Sequence, residues 1–514
     1  MKRISRRNFR RGLAAAMTCA LLAGTMTGSM VASAEESGGT LNVALTNSFT
    51  GASAINTANP YRFATLSQVY ETMLSLNNGE YEGILLEDWE SAGEGVWNLT
   101  LYEGITDSEG NAFTSEDVKW TLNKQKEIGH NVSTYYETDC VEVVDDTHFT
   151  LTIDDDSEGV FYLICTQLLL CTEEAYENSE DNLATMPVGT GPYVCTSYVE
   201  GSSCTLEKRA DYWKTENIPN ASIANFDTIE ISFVTEATQM SIAITGGTVE
   251  LAGQVDMSIS GQVDSADGIT AYYTTNGTFN GLAFNMSGRD ISDNLALREA
   301  ICYAIDNAGL VAAVYQGHGE EMTTYGMDTA SDYSDTWICN YSEYNLDLAA
   351  EKLAEAGYNG EELVLLANNV GEDSQLAELI QGYLAAAGIT VVMDYVDPAT
   401  QSAKLAEGEW DLTLAGGSGI LDMSLFWGSL YAVQENGVSK YFHSDEALYE
   451  IYDALTAVGG KTEENLQAMY EYEAANLTWY PMFNKQILYA YSDTYTGLTV
   501  NDAYMSLPYL GSLS

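Results

Sequence analysis

Basic residues are scarce in this chain. Its 514 residues include 20 lysines and arginines against 75 aspartates and glutamates, which gives a formal net charge of −55. A field of that sign repels phosphates, so the composition predicts that nucleic acid is not a partner. Histidine is scarcer still, because His130, His148, His318 and His443 are scattered without the spacing of a zinc site. We therefore expect neither a metal site nor a cofactor.

Long apolar runs are missing after the first 34 residues, since no later run approaches the roughly 18 residues that a membrane-spanning helix needs. The N-terminus combines a basic stretch at 2–11, an apolar run at 13–22 and small residues at 32–34 (ASA). This pattern is typical of a secretory signal peptide cleaved near Ala34. The sequence therefore predicts a secreted, extracytoplasmic protein.

The same segment leaves the route of export open. Residues 5–9 (SRRNF) look like a twin-arginine motif, so the general route and the twin-arginine route both stay open. Cys19 follows Thr18, whereas a lipid-modified cysteine would follow a smaller residue, so a lipid anchor is not expected. How the protein is held at the cell surface stays open.

Cysteines are few and odd in number beyond residue 34, which forbids complete pairing into disulfides. Cys195 and Cys204 could face each other if their hairpin closes with a two-residue loop centred on Val199 and Glu200. A turn on Glu200 and Gly201 would instead put Cys195 out of register. Both alternatives stay open at the level of sequence.

Motifs of common enzyme classes are also lacking. The chain has no G-x-S-x-G elbow, no H-E-x-x-H pair and no G-x-x-x-x-G-K-S/T loop. We therefore expect a protein that is not an enzyme. A secreted hydrolase stays as the alternative of another class, because 75 acidic residues always supply some pair of carboxylates.

A turn and hairpin between residues 186 and 213 carry the most specific pattern. Residues 186–193 (MPVGTGPY) fix a bend with proline and glycine, and two strands follow around a turn near Gly201, ending at residues 207–213 (EKRADYW). This arrangement resembles the signature of the extracytoplasmic solute-binding proteins of ABC importers, family 5, the peptide, opine and nickel class. There a P-V-G-T-G-P-Y turn enters a hairpin that ends in an N-x-D-Y-W-like motif.

The resemblance extends along the chain. Residues 84–107 are similar to a family region that contains a strand, and residues 97–101 alternate apolar and polar side chains as a half-buried strand does. Residues 113–120 (FTSEDVKW) match a family helix start, with Thr114 or Ser115 as the N-cap. Residues 295–306 (LALREAICYAID) look like a family helix that continues toward Gly317, in which Arg298 is expected to form a structural ion pair.

Two further segments predict the second half of the fold. Residues 344–358 resemble a family helix that stops at Gly357. Residues 363–414 then alternate strand, helix, strand, helix and strand, which predicts an open α/β sheet with crossover helices. The resemblance implies an α/β, two-lobed periplasmic-binding-protein-like fold of type II, from the large cluster with an extra domain in the first lobe.

The resemblance also implies boundaries. After the signal peptide at 1–34, we expect the first lobe at 35–278, with an inserted subdomain at about 76–186. The second lobe is expected at 279–486, and residues 487–514 should return to the first lobe.

The loop at 415–422 should face the cleft between the lobes, because ligands of open α/β sheets bind at the carboxyl ends of strands. Peptide-binding relatives read like D-Y-P-D-P-x-x-F here, and their first aspartate pairs with the amino group of the peptide. Alignment on Phe426 puts Asp422 at the second aspartate and Gly419 at the first, so this amine anchor is missing. Gly417, Ser418 and Trp427 would offer neutral donors and an aromatic face, unless the loop is flexible and the tryptophan lies in the core.

Other candidate contacts come from their position in the family pattern. Arg62 follows the first strand and could clamp a carboxylate. Asn276, Phe279 and Asn280 lie where the chain should cross between the lobes, although each could equally be part of the scaffold.

The sequence thus predicts a monomeric extracellular receptor of an ABC importer. It would capture an oligopeptide or similar organic solute in the interlobe cleft and present it to the membrane permease. An oligosaccharide-binding or a nickel- or metal-chelate-binding member of the same family is the alternative, and the identity of the solute stays open.

Overall fold

The computed structural model describes residues 38–514 except 47, 57–59, 78–79, 154–157, 215–223, 276–277, 329, 331, 370, 418–421, 432–438, 440, 442, 444, 458, 502–506 and 509. Residues Ser37–Ser514 form one compact unit. The predicted signal peptide lies outside the described residues. Among the described residues, no helix has both the length and the apolar character to cross a membrane.

The strands in the described residues are β1 (Thr40–Leu45), β2 (Leu74–Asn77), β3 (Glu80–Gly83), β4 (Leu86–Gly93), β5 (Val96–Leu101), β6 (Val141–Val143), β7 (His148–Thr152), β8 (Tyr193–Val199), β9 (Ser203–Lys208), β10 (Thr228–Phe233), β11 (Leu251–Val255), β12 (Ile269–Thr274), β13 (Phe279–Phe284), β14 (Gly319–Glu321), β15 (Leu363–Asn368), β16 (Val391–Val396), β17 (Leu412–Gly417), β18 (Trp479–Lys485), β19 (Ile487–Ser492), β20 (Val500–Asn501) and β21 (Leu507–Pro508).

The α-helices there are α1 (Pro60–Leu66), α2 (Ser115–Glu127), α3 (Glu158–Gln167), α4 (Glu173–Asn178), α5 (Ala237–Thr245), α6 (Ser260–Asp264), α7 (Leu295–Ala304), α8 (Asn307–Val314), α9 (Leu346–Ala356), α10 (Gly371–Ala386), α11 (Pro398–Glu407), α12 (Met423–Tyr431), α13 (Glu446–Thr456) and α14 (Glu463–Asn476). Short 3₁₀ turns lie at Asn131–Tyr135, Met257–Ile259 and Leu510–Ser512.

A seven-stranded mixed sheet in the order β12-β19-β11-β1-β10-β9-β8 forms the base of what we name the first lobe. Its central strand β1 pairs in parallel with both β10 and β11. Leu41, Val43 and Leu45 pack on one face of the sheet, and Ala44 packs in a different core on the other face. A strand that is buried on both faces needs an apolar sequence, and the second half of β1, residues 43–45, supplies it.

A four-stranded antiparallel sheet, β4-β5-β7-β6, forms a subdomain together with α2 and α3. Trp97 of β5 stacks on Phe161 of α3 with ring centroids 3.7 Å apart. The buried positions of β5 alternate as the sequence predicts. Helix α2 begins after Thr114, whose backbone N–H donates to the Asp117 carboxylate at 2.8 Å, so the predicted N-cap is confirmed.

A six-stranded sheet in the order β14-β18-β13-β17-β15-β16 forms the base of the second lobe. Strands β16, β15 and β17 are parallel and are joined by α10 and α11, as the alternating sequence predicts. Strand β17 reaches Gly417. The expectation that residues 415–417 belong to a loop is therefore wrong, because they are the last residues of β17 and pair with the first three residues of β13.

The predicted continuous helix after residue 295 is also wrong. Helix α7 ends at Ala304, and the extended backbone of Ile305 leads to Asp306, whose side chain accepts from the Gly309 N–H and caps α8. The predicted ion pair of Arg298 is replaced by neutral partners. Its buried guanidinium donates to the carbonyls of four residues, namely Ile291, Ser292, Asn476 and Leu477, at 2.6 to 3.1 Å.

The hairpin β8–β9 closes through residues 200–202, with Val199 opposite Ser203. The predicted turn on Glu200 and Gly201 is present, since the Ser202 N–H donates to the Val199 carbonyl at 2.9 Å, and Cys195 lies opposite Leu206 rather than Cys204. Cys204 lies opposite Tyr198, but a bulge between Cys195 and Ser197 brings the Sγ atoms of Cys195 and Cys204 to 3.7 Å. Both cysteines are buried free thiols.

Candidate solute-binding cleft

Residues of both lobes line a cavity of about 360 Å³. The first lobe lines it with Thr46, which follows β1, and with residues 254–257 at the end of β11. The second lobe contributes Gly371 and Glu372, which follow β15 and begin α10. These are carboxyl ends of parallel strands, where open α/β sheets place their ligands. The segments that join the lobes, between β12 and β13 and between β18 and β19, add Thr278 and residues 485–488.

A second cavity of about 430 Å³ lies against the same joining segments and is more polar. Thr278 and Gln486 line both cavities. The second cavity adds Glu320, Asp328 and Asn484. Both spaces are therefore built at the junction of the lobes, and the joining segments form a wall that they share.

Lys485 and Glu372 form an ion pair in the wall of the first cavity. Lys485 Nζ lies 2.6 Å from Glu372 Oε2 and stands over the Tyr315 ring at 5.6 Å from its centroid. The Tyr315 hydroxyl donates to the same Glu372 oxygen at 3.2 Å. Burial, reinforced by the Glu372 charge, raises the pKa of Tyr315, which stays a neutral donor. Asp256 also lines this cavity, so its wall carries two carboxylates against one ammonium group.

Gln254 is the unusual residue in the lining of this cavity. It lies in a β-bulge between Ala252 and Val255, with φ at 52°. Thr46 Oγ1 donates to the carbonyl of Gln254 at 2.7 Å and holds this backbone against β1. The Gln254 Nε2 atom is buried and has no hydrogen-bond partner among the described residues.

The predicted contact Arg62 lies in α1 and is 4 % exposed. Its guanidinium donates to the carbonyls of Ser53 at 2.6 Å and Asn56 at 3.4 Å, and so holds the segment that follows β1. It does not line either of the two cavities. Burial and, secondarily, the Arg62 charge lower the pKa of the neighbouring His130 to about 4. These contacts favour a structural role over the predicted carboxylate clamp.

The crossing segment contributes differently at each predicted position. Phe279 is 1 % exposed and packs on Phe426 and Trp479, with ring centroids 4.9 and 5.7 Å away, so its ring is part of the second-lobe core. Asn280 follows it, and its Nδ2 is buried without a partner among the described residues. Gly417 lies opposite Phe279 in the sheet. Asn276, Ser418 and Gly419 lie outside the described residues.

Asp422 and Trp427 belong to the beginning and middle of the α12 region, and both are fully buried. The Asp422 carboxylate accepts from the Leu425 N–H at 2.8 Å and from Lys461 Nζ at 3.1 Å. Lys461 also lies 3.4 Å from Asp332 Oδ2, so a half-buried lysine joins two buried carboxylates. Trp427 packs on Trp337 with centroids 5.7 Å apart, which is the core position considered as its alternative from sequence.

Helix α12 also carries a contact between the lobes. Leu425 is buried in the core of the β4-β5-β7-β6 subdomain. Gly159 of α3 lies directly against Asp422, since a Cβ built on that glycine would fall 1.7 Å from Asp422 Oδ2. The subdomain and the second lobe are therefore packed together beside the cleft.

Sequence reasoning missed Gln254, Glu372 and Lys485. The scarcity of basic residues could have indicated Lys485, because a lysine near a strand end is rare in this chain and is therefore a candidate site residue. Gln254 gave no signal, since a left-handed glutamine has no sequence signature.

Comparison with known proteins agrees with this architecture. Residues 80–437 match the bacterial extracellular solute-binding proteins, family 5 (middle region). Haem-binding protein A of Haemophilus influenzae is 26% identical over 400 residues, which cover 69% of this chain and 70% of that protein. The solved structure of the ABC transporter substrate-binding protein CtaP from Listeria monocytogenes has a TM-score of 0.79 at 18% identity, covering 93% of this chain and 99% of the other.

A ligand complex shows the same fold. The periplasmic binding protein DppA from Helicobacter pylori, in complex with the peptide STSA, has a TM-score of 0.73 at 20% identity and covers 93% of this chain and 98% of its own. The family resemblance and the two-lobed fold predicted from sequence are confirmed. The chain belongs to family 5 of the bacterial extracellular solute-binding proteins, the class that serves ABC importers.

Proposed function

We propose that this protein captures an oligopeptide or a similar organic solute between its lobes and delivers it to the permease of an ABC importer. It acts as an exported monomer, after cleavage near Ala34. The observation that carries the proposal is the cavity of about 360 Å³ at the facing carboxyl ends of both sheets. That volume lies in the range of small-molecule sites and suits a short peptide or one side chain of a longer one.

The lobe boundaries at residues 278 and 486 are part of the proposal. They are supported by the strands, because β12 and β19 belong to the first sheet while β13 and β18 belong to the second. Closure of the lobes around the solute is then a shift between open and closed populations.

The chemistry of the cleft disfavours an anionic solute, because Asp256 lines the first cavity and Glu320 and Asp328 line the second. Lys485 and Glu372 already neutralise each other at 2.6 Å. Asp422 is paired with Lys461, so its carboxylate does not offset the desolvation of an ammonium group. Peptides with a blocked amino terminus are therefore proposed to bind at least as well as free-amino peptides. Gly417, Asn280 and the neighbouring positions Asn276, Ser418 and Gly419 stay in the proposed contact set.

The relatives support this class of solute and define its alternatives. DppA was solved with a bound peptide, and haem-binding protein A is named for haem. Oligosaccharides and nickel chelates complete the panel that a decisive experiment should contain.

Thermal unfolding of the purified mature protein tests the proposal. A solute at 100 times its Kd should stabilise the protein by about 2.7 kcal/mol. The solutes compared are free and N-acetylated tri- to pentapeptides, maltotriose, haemin and Ni²⁺-histidine. Each solute is recovered afterwards, and its mass is measured by mass spectrometry. Stabilisation by peptides that are recovered intact is expected. Stabilisation by none of them, or recovery of a hydrolysed solute, would contradict a peptide receptor.

A further inference from the structure

The backbone of Gln254 is held where a side chain is unfavourable. Its φ of 52° lies in the left-handed region, which glycine adopts freely but which brings the Cβ of other residues close to the next carbonyl oxygen. The preceding Gly253 packs its backbone against Leu45, since a Cβ there would lie 2.6 Å from Leu45 Cδ2. The strand thus turns at this point because of its packing, and a glutamine occupies the turned position. A side chain retained against such a preference points to a use for that side chain.

The carboxamide has an unsatisfied donor. Gln254 Nε2 is buried and has no hydrogen-bond partner in the described part of the chain. Most buried donors in folded proteins are paired, because an unpaired donor keeps the full cost of its desolvation. Gln254 therefore carries two local costs, one in the backbone and one in the side chain, within one residue.

The space in front of Gln254 defines the group that would satisfy it. The cavity wall around it includes the apolar side chains of Val255, Met257, Ile487 and Leu488. Two charged residues of the same cavity, Lys485 and Glu372, are paired with each other, and Asp256 adds a further carboxylate two residues from Gln254. An N–H donor in a mostly apolar space that carries one carboxylate in excess is best matched by a neutral acceptor oxygen flanked by carbon, as in a peptide carbonyl, because an anionic acceptor would be repelled.

We propose that Gln254 determines solute specificity by donating a hydrogen bond from Nε2 to a carbonyl oxygen of a bound oligopeptide. This inference rests on the proposed function and adds a defined contact to it. The β-bulge at residues 252–255 places Gln254 in the wall of the cavity, and the left-handed backbone is retained because the contact requires a side chain there.

The test uses the mature protein and an equimolar pool of synthetic tri- to pentapeptides. Peptides retained by the wild type are identified by native mass spectrometry and then titrated calorimetrically into Gln254→Leu and Gln254→Gly. Both variants should bind roughly five- to 100-fold more weakly, since the carbonyl loses its donor. Gln239→Leu, at an exposed position of α5, is the matched control and should bind as the wild type does.

The glycine variant separates a contact from a merely structural role. Because glycine relieves the left-handed backbone, Gln254→Gly without peptide should melt about 1–2 °C higher than the wild type while binding more weakly. Unchanged peptide affinity in both Gln254 variants would overturn the inference and leave the proposed function intact. An equal or lower melting temperature for Gln254→Gly would overturn the argument from the backbone. A wild type that retains no peptide from the pool would refute the proposed function and this inference together.

Discussion

Adding one methyl group at Gly159 should hinder the packing of the two lobes. A Cβ at this position would lie 1.7 Å from Oδ2, 2.3 Å from Cγ and 3.0 Å from Cβ of Asp422, whereas ordinary contacts are 3.4–4 Å. Asp422 cannot simply rotate away, because Leu425 N–H and Lys461 Nζ hold its two oxygens. In Gly159→Ala, α3 and α12 must therefore move apart.

The cost falls on the conformation in which the lobes touch. Overpacking a close contact costs about 1–3 kcal/mol. If solute binds the closed form, that cost reappears as a loss of affinity of roughly 5- to 150-fold. Calorimetric titration with the peptide selected by the wild type measures the affinity, and small-angle scattering with saturating peptide measures the radius. Weaker binding and a larger radius are expected.

Gly382→Ala is the matched control. Gly382 lies in α10, and a Cβ built there meets nothing within 4 Å. The control should bind as the wild type does and be more stable by up to about 1 kcal/mol, because alanine is the better helix former. Wild-type affinity and wild-type radius in Gly159→Ala would refute the reasoning, since they would show that the α3–α12 contact is not part of the solute-bound state.

Three further outcomes are expected. Burial raises the pKa of Glu473 to about 8 from 4.5, so the stability that its protonation contributes is full below pH 4.5 and is lost as the pH rises through 8. In guanidinium unfolding, the free energy of unfolding of Glu473→Gln should therefore exceed that of the wild type by on the order of a few kcal/mol at pH 8 and by little at pH 4. An equal difference at the two pH values would contradict the predicted pH dependence. Arg298→Lys keeps the charge but loses the planar guanidinium that donates to several carbonyls. In urea unfolding, the free energy of unfolding should fall by roughly 2–4 kcal/mol, and an unchanged midpoint would contradict this. The Sγ atoms of Cys195 and Cys204 lie 3.7 Å apart and are buried, so they should form a disulfide when the protein is treated with oxidised glutathione under partially unfolding conditions. The bond forms with loss of two hydrogens, which peptide mass mapping detects. Mixed disulfides with glutathione alone would count against the pair.

Elements with short-range signals could be predicted from the sequence. Gly357 ends α9 with φ at 65°, the conformation that a glycine after an amphipathic helix indicates. Thr114 and Asp117 mark the start of α2 for a similarly local reason, because their hydrogen bond spans three residues. The alternation of strands and helices between 363 and 414 likewise depends on neighbours in sequence.

The cleft could not be predicted residue by residue. Gln254 and Lys485 are more than two hundred positions apart, and they share a cavity because β19 returns beside β11. Arg298 shows a second limit, since its sequence position indicates a structural role but not whether carboxylates or carbonyls receive its hydrogen bonds. Trp427 shows a third, because an aromatic residue near a strand end is equally compatible with a core and with a ligand face.

The short return between the sheets determines how the lobes can move. Strand β18 ends at Lys485 and β19 begins at Ile487, so Gln486 alone lies between two hydrogen-bonded sheets. Its backbone N–H is itself bonded to the His318 carbonyl at 3.2 Å. A one-residue joint between two rigid bodies permits rotation but almost no sliding, with the pivot at the base of the cleft. Small torsional changes at this pivot are magnified with distance, so a pair of distance labels at the outer rim should register opening that labels beside Gln486 would miss.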